Sequence, residues 1–172
     1  VHYMGYYEKW HPQGAYYYSV EHGGFMPSPE RTVGTYSKYN SIDDKVDDFF
    51  YYTTYIKYGI GRCTYDAAQE IRNKEITRQE GVALCKKYDG EFPARFAQEI
   101  FRYLSIDKEH FGKAADCFEQ PEMDLDYFMH LADRFRSPHL WQYENGVWSL
   151  RHTPFEGDSL CGFGAPKKQV EK

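Results

Sequence analysis

The sequence predicts a mainly α-helical chain, and three observations lead to this fold class. Apolar side chains recur three and four residues apart in the central segment, residues 34–72, which is the spacing of one helix face. Helix start signals precede several segments of this kind. The 172 residues, of which 41% are hydrophobic, can supply one core without any long apolar run. We therefore expect a single, mostly helical domain over residues 1–152.

The first 40 residues are expected to form a short strand and a loop that lines a site. Residues 1–7 mix apolar and aromatic side chains around Gly5, a composition that favours a strand. Residues 11–29 are rich in Gly, Pro and Tyr and predict an ordered loop, with one helical turn over residues 15–22. Residues 30–40 continue this loop, and such loops often line sites.

The central helices are expected over residues 41–104, and the first has the clearest signals. Ser41 can cap a helix that begins at Ile42, and two aspartates follow where the helix dipole favours negative charge. Its predicted core face consists of Ile42, Val46, Phe49, Thr53 and Ile56. Further rings around the helix predict burial on several sides: Phe50, Tyr51, Tyr52, Tyr55 and Tyr58. Gly59 and Gly61 should end it.

The following helices have start signals of their own. Thr64 can cap a helix through Arg72, and Thr77 with Glu80 forms a capping box for a helix through residue 87. Pro93 suits the first turn of a helix over residues 94–104. Residues 105–152 should form a helical hairpin (108–118 and 124–135) and a β-hairpin (143–151) that turns at Asn145-Gly146. Residues 153–172 are expected to be a flexible tail.

Composition excludes several classes of function. The net charge of −5, from 21 Lys and Arg against 26 Asp and Glu, gives no reason to expect a nucleic acid as partner. The four cysteines are too widely spaced for a structural zinc site, and no histidine pair has helical metal spacing, so we expect no metal held by this chain and free thiols in a reducing cytoplasm. There is no candidate membrane span or signal peptide.

Two groups of basic residues are candidate anion ligands. Lys57 and Arg62 flank the glycine turn GIGR, where free amides together with two cations would suit phosphate or carboxylate. The alternative is a helix C-cap with two solvated charges. Lys38 lies between Tyr36 and Tyr39 and is either a positioned phosphate ligand or a surface lysine.

Two groups of acidic residues are also candidates. Asp66 and Glu70 are one helical turn apart and can bind Mg²⁺, orient an amine, or pair with Arg62 and Arg72. Asp89 and Glu91 lie on a turn ahead of a helix, where they can serve a polar site or support the helix N-terminus.

Two segments carry a family resemblance: the run KYNSIDDKVDDFFYYTTYIKYGIGRCTYDAAQEIRNKEITRQEGVALCKKYDGEFP and, further on, FRSPHLW. They resemble the C-terminal part of the N-acetyl sugar amidotransferases of surface-polysaccharide (lipopolysaccharide and O-antigen) biosynthesis, which belong to the PP-loop ATP pyrophosphatases. The likeness covers about residues 5–103 and 135–152. It implies that the chain is the helical C-terminal lobe of an α/β enzyme of the PP-loop (adenine nucleotide α-hydrolase-like) type.

The resemblance also implies an activity. Members convert the acetamido group of a nucleotide-linked sugar to an acetamidino group, using ATP with Mg²⁺ and ammonia from a glutaminase partner. The family's Ser-Gly-Gly-x-Asp-Ser nucleotide loop is absent here, so this chain alone is expected to be inactive, with ATP and Mg²⁺ bound mostly by the missing half. The implied catalytic residues are Lys57, Arg62, Asp89 and Glu91. The implied substrate and phosphate ligands are Lys38, Tyr36, Asp66, Glu70 and Arg72.

Two other functions stay open. One is a non-catalytic helical domain whose aromatic surface binds a protein partner such as the glutaminase. The other is a different PP-loop reaction, such as thiolation of a nucleotide or tRNA, which the acidic charge balance disfavours.

Overall fold

A computed structural model describes residues 1–153, and it is mainly helical. The α-helices are α1 (Pro12–Gly23), α2 (Asp47–Tyr58), α3 (Arg62–Asn73), α4 (Arg78–Tyr88), α5 (Ala97–Leu104), α6 (Lys108–Phe111) and α7 (Leu125–Arg134). Short 3₁₀ helices lie at Met4–Tyr6, Ala94–Phe96 and Gly112–Cys117. One antiparallel hairpin, β1 (Trp141–Glu144) and β2 (Val147–Leu150), follows. The mainly α fold class is thus confirmed.

The core is an aromatic cluster between α2, α5 and α7, which we call the aromatic core. Its buried members are Phe49, Tyr52, Ile56, Ile100, Phe101, Phe128 and Ala132. The ring of Phe49 meets those of Phe101 and Phe128 edge to face, with centroids 5.6 and 5.5 Å apart. Such edge contacts align the positive ring edge with the negative ring face. Burial of several large rings therefore holds the three helices together.

Helices α3 and α4 pack on each other around a second, smaller cluster formed by Cys63, Ala67 and Cys85. They approach closely at Gly81, where a Cβ atom would lie only 2.7 Å from the Ile71 side chain. Cys63, Cys85 and Cys117 carry free thiols, as expected, and Cys161 lies outside the described residues. An alanine at position 81 would require the end of the Ile71 side chain to shift.

The hairpin is attached to the end of α2. Indole Nε1 of Trp141 donates a hydrogen bond of 2.7 Å to the carbonyl of Ile56, which belongs to the last turn of α2. Such carbonyls have no partner within their own helix. The predicted turn is confirmed, because Asn145 and Gly146 both have positive φ, although β1 begins two residues earlier than expected.

Three of the predicted element boundaries are confirmed closely. The Thr77–Glu80 capping box begins α4. Gly59, with φ 71°, ends α2. The predicted helix over residues 94–104 is present, with a 3₁₀ first turn before α5. The flexible tail was expected over residues 153–172, and all of it except Thr153 lies outside the described residues.

The N-terminal expectations were wrong. Residues 1–7 form no strand; Tyr6 donates its amide to the carbonyl of Tyr3 in a 3₁₀ turn, and no strand of the described chain lies beside it to pair with. The single turn over residues 15–22 is instead the three-turn helix α1. The His11 ring accepts the Gly14 amide at 2.8 Å and so caps it, a role for which histidine is an uncommon choice.

The expected start of the central helix was also wrong. Helix α2 begins at Asp47 rather than Ile42, because Ser41 has a positive φ of 50° and Asp44 binds the Val46 amide at 2.8 Å in a turn. Three residues of the predicted core face are therefore exposed: Ile42, Val46 and Thr53. Tyr52, which was not assigned to that face, is buried. The prediction that α2 is buried on several sides is only partly correct, because Phe50 and Tyr58 are exposed.

Candidate functional site

The glycine turn between α2 and α3 is occupied by a carboxylate of the chain itself. Asp89 accepts the Thr64 amide at 3.2 Å and the Thr64 hydroxyl at 2.5 Å at the N-terminus of α3. Gly61 caps this helix, and a Cβ atom there would lie 2.2 Å from Asp89 Oδ1. Thr64 therefore lies inside the helix that it was expected to cap. The expectation of free amides for a phosphate is wrong here, because Asp89 takes them.

The negative charge of Asp89 is disfavoured by burial and favoured by hydrogen bonds. Burial raises the pKa of the Asp89 carboxyl, while hydrogen bonds from Thr64 and from the backbone of Cys63 and Gly61 lower it, and burial prevails. A carboxylate at a helix N-terminus also interacts favourably with the helix dipole. In the described structure, Asp89 thus joins the loop after α4 to the start of α3.

Arg62 and Lys57, the two expected anion ligands, lie at opposite ends of α2. Arg62 is 4% exposed, and its guanidinium lies 3.5 Å from the carboxylates of Asp47 and Asp48. It also donates a hydrogen bond to the Ser41 hydroxyl. Lys57 is exposed near the last turn, with Nζ 5.3 Å from the Tyr58 ring centroid. Ten residues of helix separate Asp47 from Lys57, a rise of about 15 Å. The structure does not bring the two cations together.

Residues 31–40 form a loop that polar contacts tie to the helices, and we call it the tethered loop. Arg31 makes a bidentate ion pair with Glu91, at 2.8 and 2.6 Å, and also binds the carbonyls of Thr32 and Thr35. The Gly34 amide donates to the same carboxylate at 2.8 Å. Burial acts to raise the pKa of Glu91, but the hydrogen bonds from Arg31 and Gly34 outweigh it and the pKa is lowered.

Asp66 ties the other end of this loop to α3. It accepts the Thr35 hydroxyl at 2.5 Å and the Asn40 amide at 3.3 Å. Burial raises the pKa of Asp66, opposed by these hydrogen bonds and by the charge of Arg62. Glu91, in the loop after α4, and Asp66, on α3, therefore fix the conformation of the tethered loop.

A pocket of about 350 Å³ opens between α2 and α3, and Asp66 lies in its wall. Its lining combines aromatic rings with groups able to hydrogen-bond: Phe50, Tyr51, Thr54, Tyr65, Asp66, Gln69 and Arg72. This volume is at the lower end of the range for small-molecule sites. Of the expected substrate ligands, the structure brings Asp66 and Arg72 together here.

The remaining expected ligands lie outside this pocket lining. Lys38 is exposed and donates to the carbonyl of Pro29 at 3.2 Å. Tyr36 packs against the cysteine cluster of α3 and α4. Glu70 is buried on α3, 5% exposed.

Sequence reasoning missed the partners that hold these groups. Arg31, Thr35 and Asn40 were assigned to a loop without roles, and Asp47 and Asp48 were given no role, because the helix-dipole charges were assigned to Asp43 and Asp44. Their partners lie 14 to 60 residues away along the chain. Pairs this far apart in the chain cannot be predicted from local spacing. The only signal is the density of polar and glycine residues around GTYSKYN, which indicates an ordered loop.

Two general findings apply to the described residues alone. No group of three or more His, Cys, Asp or Glu side chains within residues 1–153 is arranged to hold a metal ion. None of the helices in that part of the chain is long and apolar enough to cross a membrane.

Comparison with known proteins gives one family. Residues 33–153 match the family model described as LPS biosynthesis protein WbpG-like, C-terminal domain. No curated protein matches the chain. The matched segment contains residues 33–40 of the tethered loop, the aromatic core and the pocket between α2 and α3. Because the match covers well over half of the sequence, the chain belongs to the WbpG-like C-terminal domain family of LPS biosynthesis proteins.

Proposed function

We propose that this chain is the C-terminal portion of an ATP-dependent amidotransferase that converts the N-acetyl group of a nucleotide-linked sugar to an acetamidino group. The observation that carries the proposal is the pocket between α2 and α3. Its rings can cover the apolar face of a sugar, and Asp66 and Gln69 can bind hydroxyl or amide groups. Membership of an LPS biosynthesis family fits a sugar as substrate.

Arg72 is the pocket's positive group and would bind the phosphates of the nucleotide-linked sugar. Its side chain is exposed at the rim, and a guanidinium matches phosphate oxygens with two parallel hydrogen bonds. Asp66, held by Thr35 and Asn40, would orient the acetamido group or a sugar hydroxyl. The pocket would thus bind both ends of the substrate.

The chemistry requires activation, because an unactivated amide is a poor electrophile. In this reaction ATP activates the acetamido oxygen, and ammonia then displaces AMP to leave the amidine. Among the described residues no group of three or more His, Cys, Asp or Glu side chains is arranged to hold a metal ion, and Asp89 fills the glycine turn where phosphate was expected. The proposal therefore places ATP and Mg²⁺ outside residues 1–153 and gives this chain the sugar. It also expects a glutaminase partner as the source of ammonia and a cytoplasmic reaction.

The proposal is tested by titrating UDP-N-acetylglucosamine into the 172-residue chain by calorimetry. We expect binding, and we expect Arg72→Ala to weaken it at least about tenfold, which equals 1.4 kcal/mol. Arg102→Ala is the matched control, because Arg102 is an exposed arginine on the groove between α5 and α7. Absence of binding, or equal weakening by both variants, would overturn the role of the pocket.

The reaction itself is tested on the longer enzyme that carries this sequence. With ATP, Mg²⁺, ammonium and the sugar nucleotide, we expect pyrophosphate release and a product with an amidine in place of the amide, both identified by mass spectrometry. Asp66→Asn should reduce product formation while the protein stays folded. Product that retains the amide would contradict the assigned reaction.

A second function, docking of a protein partner, is favoured by the exposed aromatic surface of the N-terminal segment. Its exposed rings are Tyr3, Tyr6, Tyr7, Trp10, Tyr17 and Tyr18. Aromatic side chains are enriched at protein interfaces. In this case the chain would bind a glutaminase without binding the sugar nucleotide, so the same titration separates the two functions.

A further inference from the structure

The lining of the pocket between α2 and α3 follows the axis of α3 over two helical turns. Three of its α3 members are spaced by four and three residues, so they lie on one helix face: Tyr65, Gln69 and Arg72. Tyr65 is the first and Arg72 the last, and the rise between them is about 10 Å. Asp66 lies next to Tyr65 in the same wall. The pocket therefore has an aromatic end at Tyr65 and a positive end at Arg72.

The aromatic end is built by rings from both helices. Tyr51 of α2 meets Tyr65 edge to face, with ring centroids 6.3 Å apart, and Phe50 packs on Tyr51 at 5.3 Å. Tyr65 is 49% exposed and Phe50 is 58% exposed. Rings that are packed on one another and still open to solvent offer apolar area to a ligand, and the C–H face of a sugar ring is a suitable partner. We assign this end to the sugar.

Asp66 and Gln69 supply polar contacts between the two ends. Oδ2 of Asp66 accepts hydrogen bonds from Thr35 at 2.5 Å and from Asn40 at 3.3 Å, so the orientation of the carboxylate is fixed. The Gln69 amide carries both a donor and an acceptor. An N-acetyl group has one N–H and one carbonyl, which the carboxylate and the amide can bind together. The middle of the pocket is therefore suited to the acetamido group.

The charge of the pocket limits how many phosphates it can bind. Among the described residues that line it, Arg72 is the one cation. Arg62 lies over the Tyr51 ring, with its guanidinium 4.3 Å from the ring centroid. It is 4% exposed and already has Asp47 and Asp48 at 3.5 Å, so it does not serve a ligand. A single guanidinium pairs with one phosphate through two parallel hydrogen bonds, and a second phosphate would find no cation here.

The size of the pocket agrees with this limit. Its volume of about 350 Å³ is near the lower bound for small-molecule sites, and its length along α3 is about 10 Å. A sugar ring with one phosphate fits these dimensions. The second phosphate and the nucleoside, which make up about half of a sugar nucleotide, would extend past Arg72 into solvent.

We infer that this pocket recognises an N-acetylhexosamine 1-phosphate group and leaves the nucleoside unbound. The inference rests on the proposed function, which supplies the N-acetyl sugar, and it adds which part of the substrate this chain selects. The phosphate next to the sugar binds Arg72, and the sugar lies against Tyr65 and Tyr51. The identity of the nucleoside therefore does not affect binding to this chain, and its specificity depends on the sugar.

The test is calorimetric titration of the 172-residue chain with three ligands: UDP-N-acetylglucosamine, N-acetylglucosamine 1-phosphate and UDP. We expect the Kd values of the sugar nucleotide and the sugar 1-phosphate to agree within about threefold, because both present the same group. UDP lacks the sugar, so it should bind at least about tenfold more weakly than either.

Variants then locate each part of the ligand. Arg72→Ala should weaken the sugar nucleotide and the sugar 1-phosphate by the same factor, because both lose the same phosphate contact. Tyr65→Leu should also weaken the two ligands equally, since both lose the ring that covers the sugar. Tyr58→Leu is the matched control, because Tyr58 is 55% exposed on α2 and lies outside the lining. It should leave both Kd values unchanged.

The outcomes separate this inference from the proposed function. A sugar nucleotide that binds at least about tenfold more tightly than the sugar 1-phosphate would overturn the inference alone, since the nucleoside or the second phosphate then contributes. An effect of Arg72→Ala on the sugar nucleotide only would do the same, because Arg72 would then bind the second phosphate. If none of the three ligands binds, both fail. Binding of the sugar 1-phosphate, together with a reaction product that retains the amide, would contradict the assigned reaction and support this site.

Discussion

The aromatic core, formed by α2, α5 and α7, and the tethered loop, bound to Glu91 and to Asp66 of α3, are held by different forces. In the aromatic core, Phe49 and Phe128 contact each other without directional bonds. In the tethered loop, Arg31, Thr35 and Asn40 are fixed by hydrogen bonds of defined geometry to two carboxylates. Burial of the rings stabilises the fold and tolerates substitution by other apolar side chains of similar volume. The polar contacts fix the conformation of the loop and tolerate few substitutions, because each one depends on the geometry of its hydrogen bonds. The pocket lies beside the second region.

The comparison predicts its largest effect in the aromatic core. Phe49→Ala should lower the free energy of unfolding by about 3–5 kcal/mol, since it removes a ring that is 4% exposed and leaves a cavity. Phe50→Ala is the control on the same helix, where the ring is 58% exposed and the loss should stay within about 0.5 kcal/mol. Urea unfolding followed by circular dichroism measures both. Similar losses in the two variants would contradict the assigned core face.

An intermediate effect is expected where charge is buried. Arg62→Met keeps the apolar stem over Tyr51, whose ring centroid lies 4.3 Å from the guanidinium, but leaves Asp47 and Asp48 without their cation. Breaking a buried pair in this way should cost about 3 kcal/mol. Adding Asp48→Asn should recover part of the loss, because one of the two unpaired charges is then removed. If the double variant were less stable than the single one, the pair would not be the cause.

The smallest effect is expected in the tethered loop. Glu91→Gln should cost about 1 kcal/mol near neutral pH, because its ion pair with Arg31 is partly solvated. The folded pKa of Glu91 is lowered, so its contribution is present above the unfolded pKa and is lost as pH falls through the folded value. Wild type and variant should therefore converge in acid, as measured by urea midpoints near pH 7 and about pH 3.

Arg31→Gln is the matched variant for the same pair. Its stability loss should be at least that of Glu91→Gln, because Arg31 also binds the carbonyls of Thr32 and Thr35. The double variant should lose less than the sum of the two single losses, since both changes break the same ion pair. If Glu91 only positions the loop, the two single variants should have similar turnover in the longer enzyme proposed above. A larger loss of turnover in Glu91→Gln would assign Glu91 a direct role on the substrate.

Sequence reasoning succeeded where the physical cause is local. The Thr77–Glu80 capping box and the Asn145-Gly146 turn each depend on residues within four positions of one another. The core residues Phe49 and Ile56 follow from helical spacing, which the aromatic core preserves. For these elements the fold was predictable from the sequence.

Reasoning from the sequence failed where a distant group decides the local structure. Thr64 has the chemistry of a helix cap, yet Asp89, 25 residues away, takes the end of α3. Arg62 has the appearance of an anion ligand beside a glycine turn, yet Asp47 and Asp48 neutralise it. Side-chain type therefore identified the polar residues of the site, but only the fold shows which of them already have partners.

The bond from Trp141 to the last turn of α2 has a consequence for the order of events during synthesis. The Ile56 carbonyl can form this bond only after Trp141, 85 residues later in the chain, has been synthesised. At about 5–20 residues per second, the ribosome delivers that indole roughly 4–17 s after Ile56. The end of α2 therefore stays solvated over that interval, and a nascent chain halted before Trp141 would expose it to chaperones and proteases.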